Sequence, residues 1–349
     1  MKRTKRKMRG RAKLLAVVLI GGAIVLATGE VSSRLAQEAN PPVQPATQYA
    51  SPSAPPASPA PQYTHEVEAP APVDPAASLD LPTISIGQQL HSTNALLIHA
   101  QTGDVLFEQN SAARMYPASL VKMMTALVAI ENIPNLDETV FLDEAIFQPI
   151  RNANATTAGF LPNDSVRAID LLFGLMLPSG AECAVGLAKH VAGSEAAFVA
   201  MMNARAAELG MTNTNFVNAT GLHDASQFTT AQDMAILLIH ALDNATFHRL
   251  VTGSRHSTVG TALQPGGITF HSTLFSRMAS TYVGGGHILG GRTGFTNQAG
   301  QNLASFAEIG GEIYILVTSG AQANGNHLTQ ALHIEDAFTI FGAINQDGR

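Results

Sequence analysis

The 349-residue sequence has no tryptophan, a single cysteine, and only 6% aromatic residues. The lone Cys183 excludes a disulfide framework and any cysteine-cage zinc site. The twelve histidines include no His-x-x-x-His or His-Glu-x-x-His pair, so a zinc-peptidase motif is missing too. Charged residues make up just 13% of the chain, and beyond Lys13 the only lysines are Lys122 and Lys189. So little charge excludes a coiled coil, and 46% hydrophobic residues exclude a fully disordered chain.

The charge is unevenly placed. Eight of the 20 basic residues lie in the first 13 positions: Lys2, Arg3, Lys5, Arg6, Lys7, Arg9, Arg11 and Lys13. From Leu81 to Arg349, eleven basic residues face twenty acidic ones, a net charge of −9. An acidic body of this kind offers nothing to neutralise a row of phosphates, so no nucleic-acid partner is expected.

Three zones follow. In residues 1–30 the basic cluster precedes an apolar run from Leu14 to Thr28. At about 15 residues it matches a signal-type apolar segment better than a full membrane span of roughly 20. No small-x-small cleavage site follows, which favours an uncleaved anchor over a cleaved signal peptide. In either case the basic flank stays cytoplasmic and the rest is exported, with membrane attachment through the N-terminus. Residues 31–80 form a linker: twelve of the 18 prolines lie between Pro41 and Pro82, amid alanine and serine. Such a segment cannot bury enough apolar surface to fold and serves as a semi-extended spacer. Residues 81–349 are long enough for one large domain with its own core.

Within that domain, Leu96–His99 and Val105–Phe107 flank Gln101-Thr102-Gly103-Asp104 and predict a β-hairpin. Apolar spacing predicts helices at Ser119–Glu131, Val166–Met176, Glu182–Val191, Glu195–Leu209 and Ala231–Ala241. Gln301–Glu308 and Glu312–Thr318 read as antiparallel strands around Gly310-Gly311, and a last helix is expected over His327–Phe341. Strands at both ends around a helical middle predict an α+β domain, its antiparallel sheet built from both chain ends.

Chemistry concentrates in three segments. In Tyr116-Pro117-Ala118-Ser119-Leu120-Val121-Lys122, the spacing puts the Lys122 amine within reach of the Ser119 hydroxyl on one helix face. A serine needs a base to act as a nucleophile, and a desolvated lysine can be that base. A charge on an otherwise apolar helix is costly unless it is used. The second segment is Leu177-Pro178-Ser179-Gly180-Ala181-Glu182-Cys183, where Ser179 reads either as a helix N-cap or as a reactive hydroxyl. In the third, Leu289-Gly290-Gly291-Arg292-Thr293-Gly294-Phe295-Thr296, glycines permit close backbone approach. Arg292 and Thr293 could there grip a carboxylate. His190 and His223 read as surface and loop residues, and Cys183 as a small buried thiol.

Together these segments resemble the serine D-alanyl-D-alanine carboxypeptidases, the low-molecular-mass penicillin-binding proteins. That family carries Ser-x-x-Lys, Ser-x-Asn and Lys-Thr-Gly in this order, as class A β-lactamases also do. Leu97–Leu106, Ala118–Leu127, Leu209-Gly210-Met211, Gly221-Leu222 and Thr229–Ala235 extend the similarity to roughly residues 85–345. The resemblance implies a β-lactamase/DD-peptidase-like fold with a mostly helical subdomain. It implies Ser119 as nucleophile, Lys122 as general base and Ser179 as proton relay. Arg292 and Thr293 would bind the terminal carboxylate, with Gly294 and Phe295 completing the substrate-binding strand. The amides of Ser119 and Phe295 would form the oxyanion hole. The implied substrate is a peptidoglycan stem peptide ending in D-Ala-D-Ala, with β-lactams acylating the same serine and neither metal nor cofactor required.

Two positions depart from the family pattern. Arg292 stands where the family has lysine, and Ala181 where it has asparagine. The missing amide implies slower turnover, by on the order of 10²-fold. It also keeps open a weakly active or non-catalytic wall-binding relative. Endopeptidase or transpeptidase action remains an alternative. A β-lactamase is disfavoured, because between Cys183 and Gly291 the only glutamates are Glu195 and Glu208, both in expected helices. No room is expected for the family's β-rich C-terminal domain.

Overall fold

The structure, a computed structural model, describes residues 83–322 and 330–344. The expected signal segment and linker, and the first residues of the expected last helix, lie outside the described residues.

The described chain opens with β1 (Asn94–His99) and β2 (Val105–Gln109), the expected hairpin. A helical middle follows: α1 (Val121–Asn132), β3 (Thr139–Phe141), α2 (Phe147–Asn152), β4 (Ser165–Arg167), α3 (Ala168–Met176) and α4 (Ala181–Ala192). It continues with α5 (Glu195–Glu208), α6 (Ala231–Leu242), α7 (Ala245–Thr252), β5 (Arg255–Ser257) and β6 (Thr269–His271). The chain then returns through β7 (Tyr282–Val283), β8 (Gly286–Thr296), β9 (Gly300–Ile309) and β10 (Glu312–Ala321) to α8 (Leu332–Ala343).

The six-stranded sheet has the order β2-β1-β10-β9-β8-β7, antiparallel throughout. Its first two strands come from one end of the domain and the other four from the opposite end. The pairing of β1 with β10, Leu97 opposite Leu316, closes it. This is the expected α+β architecture.

Strand alternation explains the layers, because successive side chains point to opposite faces. Leu96, Ile98, Phe306, Ile315 and Val317 face the helical middle and join the core of α1 and α3–α7. Ala95, Leu97, Leu303, Ala307 and Leu316 face the other way, against Ile334, Ile340 and Phe341 of α8. With both faces covered, even the sheet's polar side chains Asn302, Ser305 and Thr318 are buried. No helix among the described residues is long and apolar enough to cross a membrane.

Several boundaries differ from expectation. The predicted helix at Val166 begins only at Ala168, since Ser165–Arg167 pairs with Thr139–Phe141 as a short hairpin. The β5–β6 hairpin, α2 and α7 carry too few residues to show a period and were not expected. The last helix runs Leu332–Ala343 within the described residues.

Asp336 on α8 ties the two ends of the domain together. It is buried, and its two carboxylate oxygens accept the backbone N–H groups of His91 at 2.9 Å and Ser92 at 2.7 Å. Replacing it would orphan two donors beside the closing strand. Asp336→Ala is expected to lower unfolding free energy by about 2–3 kcal/mol, read from urea denaturation.

Candidate active site

Ser119 is set by local backbone geometry before any long-range contact. Pro117 fixes its own φ at −70°, and Ala118 turns into the left-handed region at φ 49°. A single 3₁₀ turn over Ala118–Leu120 follows and runs into α1. Ser119, expected as the first residue of the helix, therefore sits in the turn just ahead of α1, where first-turn N–H groups have no intrahelical acceptor. Asn302 on β9 anchors this turn to the sheet, donating from Nδ2 to the Tyr116 carbonyl at 2.8 Å while its Oδ1 accepts from Gly320 N–H at 3.2 Å.

Lys122 lies on a helix buried from Val121 through Ala129, and is itself only 3% exposed. Its Nζ donates to Ser119 Oγ at 3.4 Å and to the Thr220 carbonyl oxygen. That carbonyl is aimed by a tight loop in which Asn218 Oδ1 accepts from Thr220 N–H at 3.2 Å and Gly221 N–H at 2.8 Å. Behind it, Glu195 Oε1 accepts from Ala219 N–H at 3.0 Å. Burial, followed by the charge of nearby Arg292, brings the Lys122 pKa down from 10.5 to about 7.

Ser179 occupies the junction between α3 and α4. The helix N-cap is Gly180, so Ser179 is not the cap; it takes a left-handed backbone at φ 75°. Its Oγ lies 3.1 Å from Ser119 Oγ. Non-glycine residues in this region carry strain of order 1–3 kcal/mol and concentrate at functional sites. Here both Ala118 and Ser179 do so.

Arg292 and Gly294 lie on the face of β8 turned to the Ser119 turn. Arg292 is 1% exposed; its Nη1 donates to Met176 O at 2.9 Å, Nε to Ser119 O at 3.4 Å, and Nη2 to Ser179 Oγ. Burial lowers its pKa to about 9. Gly294 permits the close approach, since a Cβ there would stand 3.0 Å from Ser119 N. Thr293 points to the other side and shares a 2.8 Å hydrogen bond with Thr273 Oγ1.

Two cavities meet at this point. The larger, about 660 Å³, is lined by Ser119, Lys122, Ser179, Ala181, His223 and Asn297. The smaller, about 170 Å³, is lined by Ser119, Thr273, Arg277, Thr293, Phe295 and His333. Ser119, Ser179, Thr156 and Phe295 belong to both, so Ser119 stands at the elbow of one bent groove. Arg292 lines neither arm. A separate, mostly apolar cavity of about 340 Å³ lies beyond Thr220 and Leu222.

The structure thus joins Ser119, Lys122, Ser179 and Arg292 into one network, with Thr293, Gly294 and Phe295 along its edge. It adds groups that sequence reasoning missed. Glu182, buried on the first turn of α4, accepts three N–H groups through Oε1, from Ala158 at 2.7 Å, Gly159 at 2.9 Å and Phe160 at 3.3 Å. These bonds pin the wall carrying Asn154 and Thr156; burial raises the Glu182 pKa. His223, expected as an ordinary loop residue, lines the larger arm and meets the Tyr116 ring edge-on at 4.7 Å. Cys183 is buried as expected, and burial raises its thiol pKa well above the ordinary value. Among the described residues, no three His, Cys, Asp or Glu side chains converge as a metal site.

A family model described as D-alanyl-D-alanine carboxypeptidase matches residues 82–323. D-alanyl-D-alanine carboxypeptidase DacF of Bacillus subtilis is 29% identical over 228 residues, covering 65% of this chain and 57% of the relative. DacC of Escherichia coli is 31% identical over 239 residues, covering 66% and 56%. The chain therefore spans a little over half the length of these curated relatives. Among solved structures, the Streptomyces K15 DD-transpeptidase superposes with a TM-score of 0.64 at 25% identity, covering 73% of this chain and 98% of that one.

Gly221 tests the interlock. At φ 79° it faces Ala118, and an added Cβ would stand 2.1 Å from the Ala118 carbonyl oxygen. Gly221→Ala is expected to cost about 2 kcal/mol or more of stability by chemical denaturation, through strain and forced displacement of the Ser119 turn.

Proposed function

The chain belongs to the D-alanyl-D-alanine carboxypeptidase family, and from that membership we propose that it removes the terminal D-alanine of peptidoglycan stem peptides through an acyl-enzyme on Ser119. The observation that carries this reading is the hydroxyl of Ser119 held between Ser179 Oγ and a buried lysine amine whose pKa is about 7.

A neutral Lys122 can accept the Ser119 proton as Oγ attacks the carbonyl of the penultimate D-alanine. The developing oxyanion meets the Ser119 amide at the head of its turn, with the Phe295 amide as its partner on β8. The proton passes from Lys122 through Ser179 to the leaving nitrogen, the C–N bond breaks, and D-alanine departs. Water then attacks the ester, again giving its proton towards Lys122, and Ser119 is restored. Arg292 stays protonated throughout; its guanidinium orients Ser179 and supplies positive potential, while Thr293 and Gly294 line the substrate strand. β-Lactams present the same acyl group and acylate Ser119.

In this reading residues 81–349 are the catalytic domain, acting outside the cytoplasmic membrane. Residues 1–30 export it and either anchor it or are removed, and residues 31–80 space it from the membrane.

A fluorescent penicillin tests the nucleophile. The wild type is expected to be labelled and Ser119→Ala to be blank. Because the reactive amine is the neutral form, the labelling rate should rise with pH and level off above an apparent midpoint near 7. An unlabelled wild type would contradict the acyl-enzyme.

Ala181 lines the larger arm beside Lys122 and Thr220 and carries no side-chain amide. Ala181→Asn is expected to raise D-alanine release from a stem pentapeptide by up to about 10²-fold, the effect of one well-placed transition-state donor. An unchanged rate would show that the missing amide does not limit turnover.

A further inference from the structure

We propose that the mostly apolar cavity of about 340 Å³ beyond Thr220 and Leu222 is a subsite for a long side chain ending in an amine, carried by the residue that precedes the penultimate D-alanine. The inference rests on the carboxypeptidase reading and names a feature of the substrate on the acyl side of Ser119.

Three walls carry the catalytic groove into this chamber. Residues 153–156, just past α2, line the larger arm, while Ile146, Pro149 and Ile150, at the turn before α2 and on α2 itself, line the chamber. Ala181 opens α4 in the larger arm, and Val185 and Lys189 of the same helix line the chamber one and two turns further on. Thr220 and Leu222, on the loop facing α2, border both spaces. The chamber therefore continues the larger arm away from Ser119. With Thr293 lining the smaller arm, the leaving D-alanine belongs there, and the acyl side of the substrate is left with the larger arm and what lies beyond it.

Distance selects the length of the side chain. Between Ala181 and Lys189 the helix rises about 12 Å, at roughly 1.5 Å per residue. One residue of main chain covers at most about 3.5 Å, so the neighbour of the penultimate D-alanine reaches the chamber only with a long side chain.

Charge selects its end. Lys189 is already matched, its Nζ lying 3.7 Å from Asp143. Glu195 is half-buried at the start of α5; its Oε1 accepts the Ala219 N–H at 3.0 Å, and no cation forms an ion pair with it among the described residues. The unmatched charge in the lining is therefore negative. An apolar chamber with one unmatched carboxylate suits a run of methylenes ending in an ammonium group.

Seating that side chain also bears on catalysis. It packs against Asn218, Thr220 and Leu222, the loop whose Thr220 carbonyl accepts from Lys122 Nζ. Contacts remote from the reacting bond can in this way raise kcat as well as lower KM.

The test measures kcat and KM for D-alanine release from three Nα-acetylated tripeptides X-D-Ala-D-Ala, with lysine, norleucine or alanine as X. The wild type is expected to prefer norleucine over alanine by about 10-fold or more in kcat/KM, from methylenes removed from water. Lysine should gain roughly a further 5- to 10-fold over norleucine, the worth of a half-buried charged contact. Glu195→Gln, which keeps an acceptor for Ala219, should erase the lysine-over-norleucine preference. Val185→Phe, which fills the chamber, should bring both longer peptides towards the rate of the alanine peptide. Equal wild-type rates on all three peptides overturn the subsite, and a lysine preference that survives Glu195→Gln overturns the role given to the carboxylate. Equal slowing of all three by Val185→Phe also counts against the subsite, because that marks a structural effect. A preference confined to KM removes the loop's part in catalysis. A wild type that is unlabelled by penicillin and turns over none of the peptides sinks the carboxypeptidase reading itself. Calorimetric binding of the three peptides to Ser119→Ala then decides the subsite separately.

Discussion

Two positive charges, Lys122 and Arg292, are buried around one pair of serines, and neither forms a salt bridge among the described residues. Oxygens without formal charge hold them: the carbonyls of Thr220, Met176 and Ser119, and the hydroxyls of Ser119 and Ser179. The carboxylate of Glu182 is near enough to bias Lys122, but its bonds go to the amides of residues 158–160. An isolated buried charge is expensive, and the two cations meet that cost differently. The amine gives up its proton near neutrality. The guanidinium, delocalised and far harder to deprotonate, keeps its own. Much of the neighbouring structure serves this division. The Asn218–Gly221 loop aims a carbonyl at the amine, and the α3–α4 junction presents Met176 and Ser179 to the guanidinium.

The sheet supplies what the helices cannot. The 3₁₀ turn and helix α1 can offer Ser119 and Lys122 side by side but no second wall to the groove. Strand β8 provides that wall because, among the described residues, no strand pairs with its outer side beyond Ile288, so residues 289–296 are available to face the serine turn. Its far side rests on β9 and β10, which β1 closes against the other end of the domain. The rigidity of the groove thus depends on contacts made hundreds of residues apart, including the Asp336 clasp on the entry to β1.

The layers were legible in the sequence wherever a period had room to repeat. The β1–β2 hairpin, α1, α5 and α6 carry apolar positions over enough residues to declare themselves, and the three motifs identified the network. Short elements were not legible: β3, β4, β5 and β6 have three residues each, too few for alternation to register. Ser179 carried two readings, cap or reactive hydroxyl, for a different reason. Pro-Ser before an apolar run signals a cap, whereas its actual backbone depends on packing between α3, α4 and Arg292. Groups that act across the fold left no local mark. Glu182 reads as an ordinary first-turn acid, and nothing near it in sequence points to the amides of residues 158–160.

Ala118 is hemmed in at the base of the serine turn, with the Gly221 α-carbon against its carbonyl and the Gly294 α-carbon facing its methyl. A Cβ at Gly221 would strike the Ala118 carbonyl, and one at Gly294 would come within 3.3 Å of the Ala118 Cβ. The three positions, far apart in the chain, therefore do not drift independently. A side chain can enter at 221 or 294 only if the backbone at 118 moves, and that movement carries Ser119 with it. Substitutions here should be strongly epistatic, so the serine turn changes as a unit or not at all.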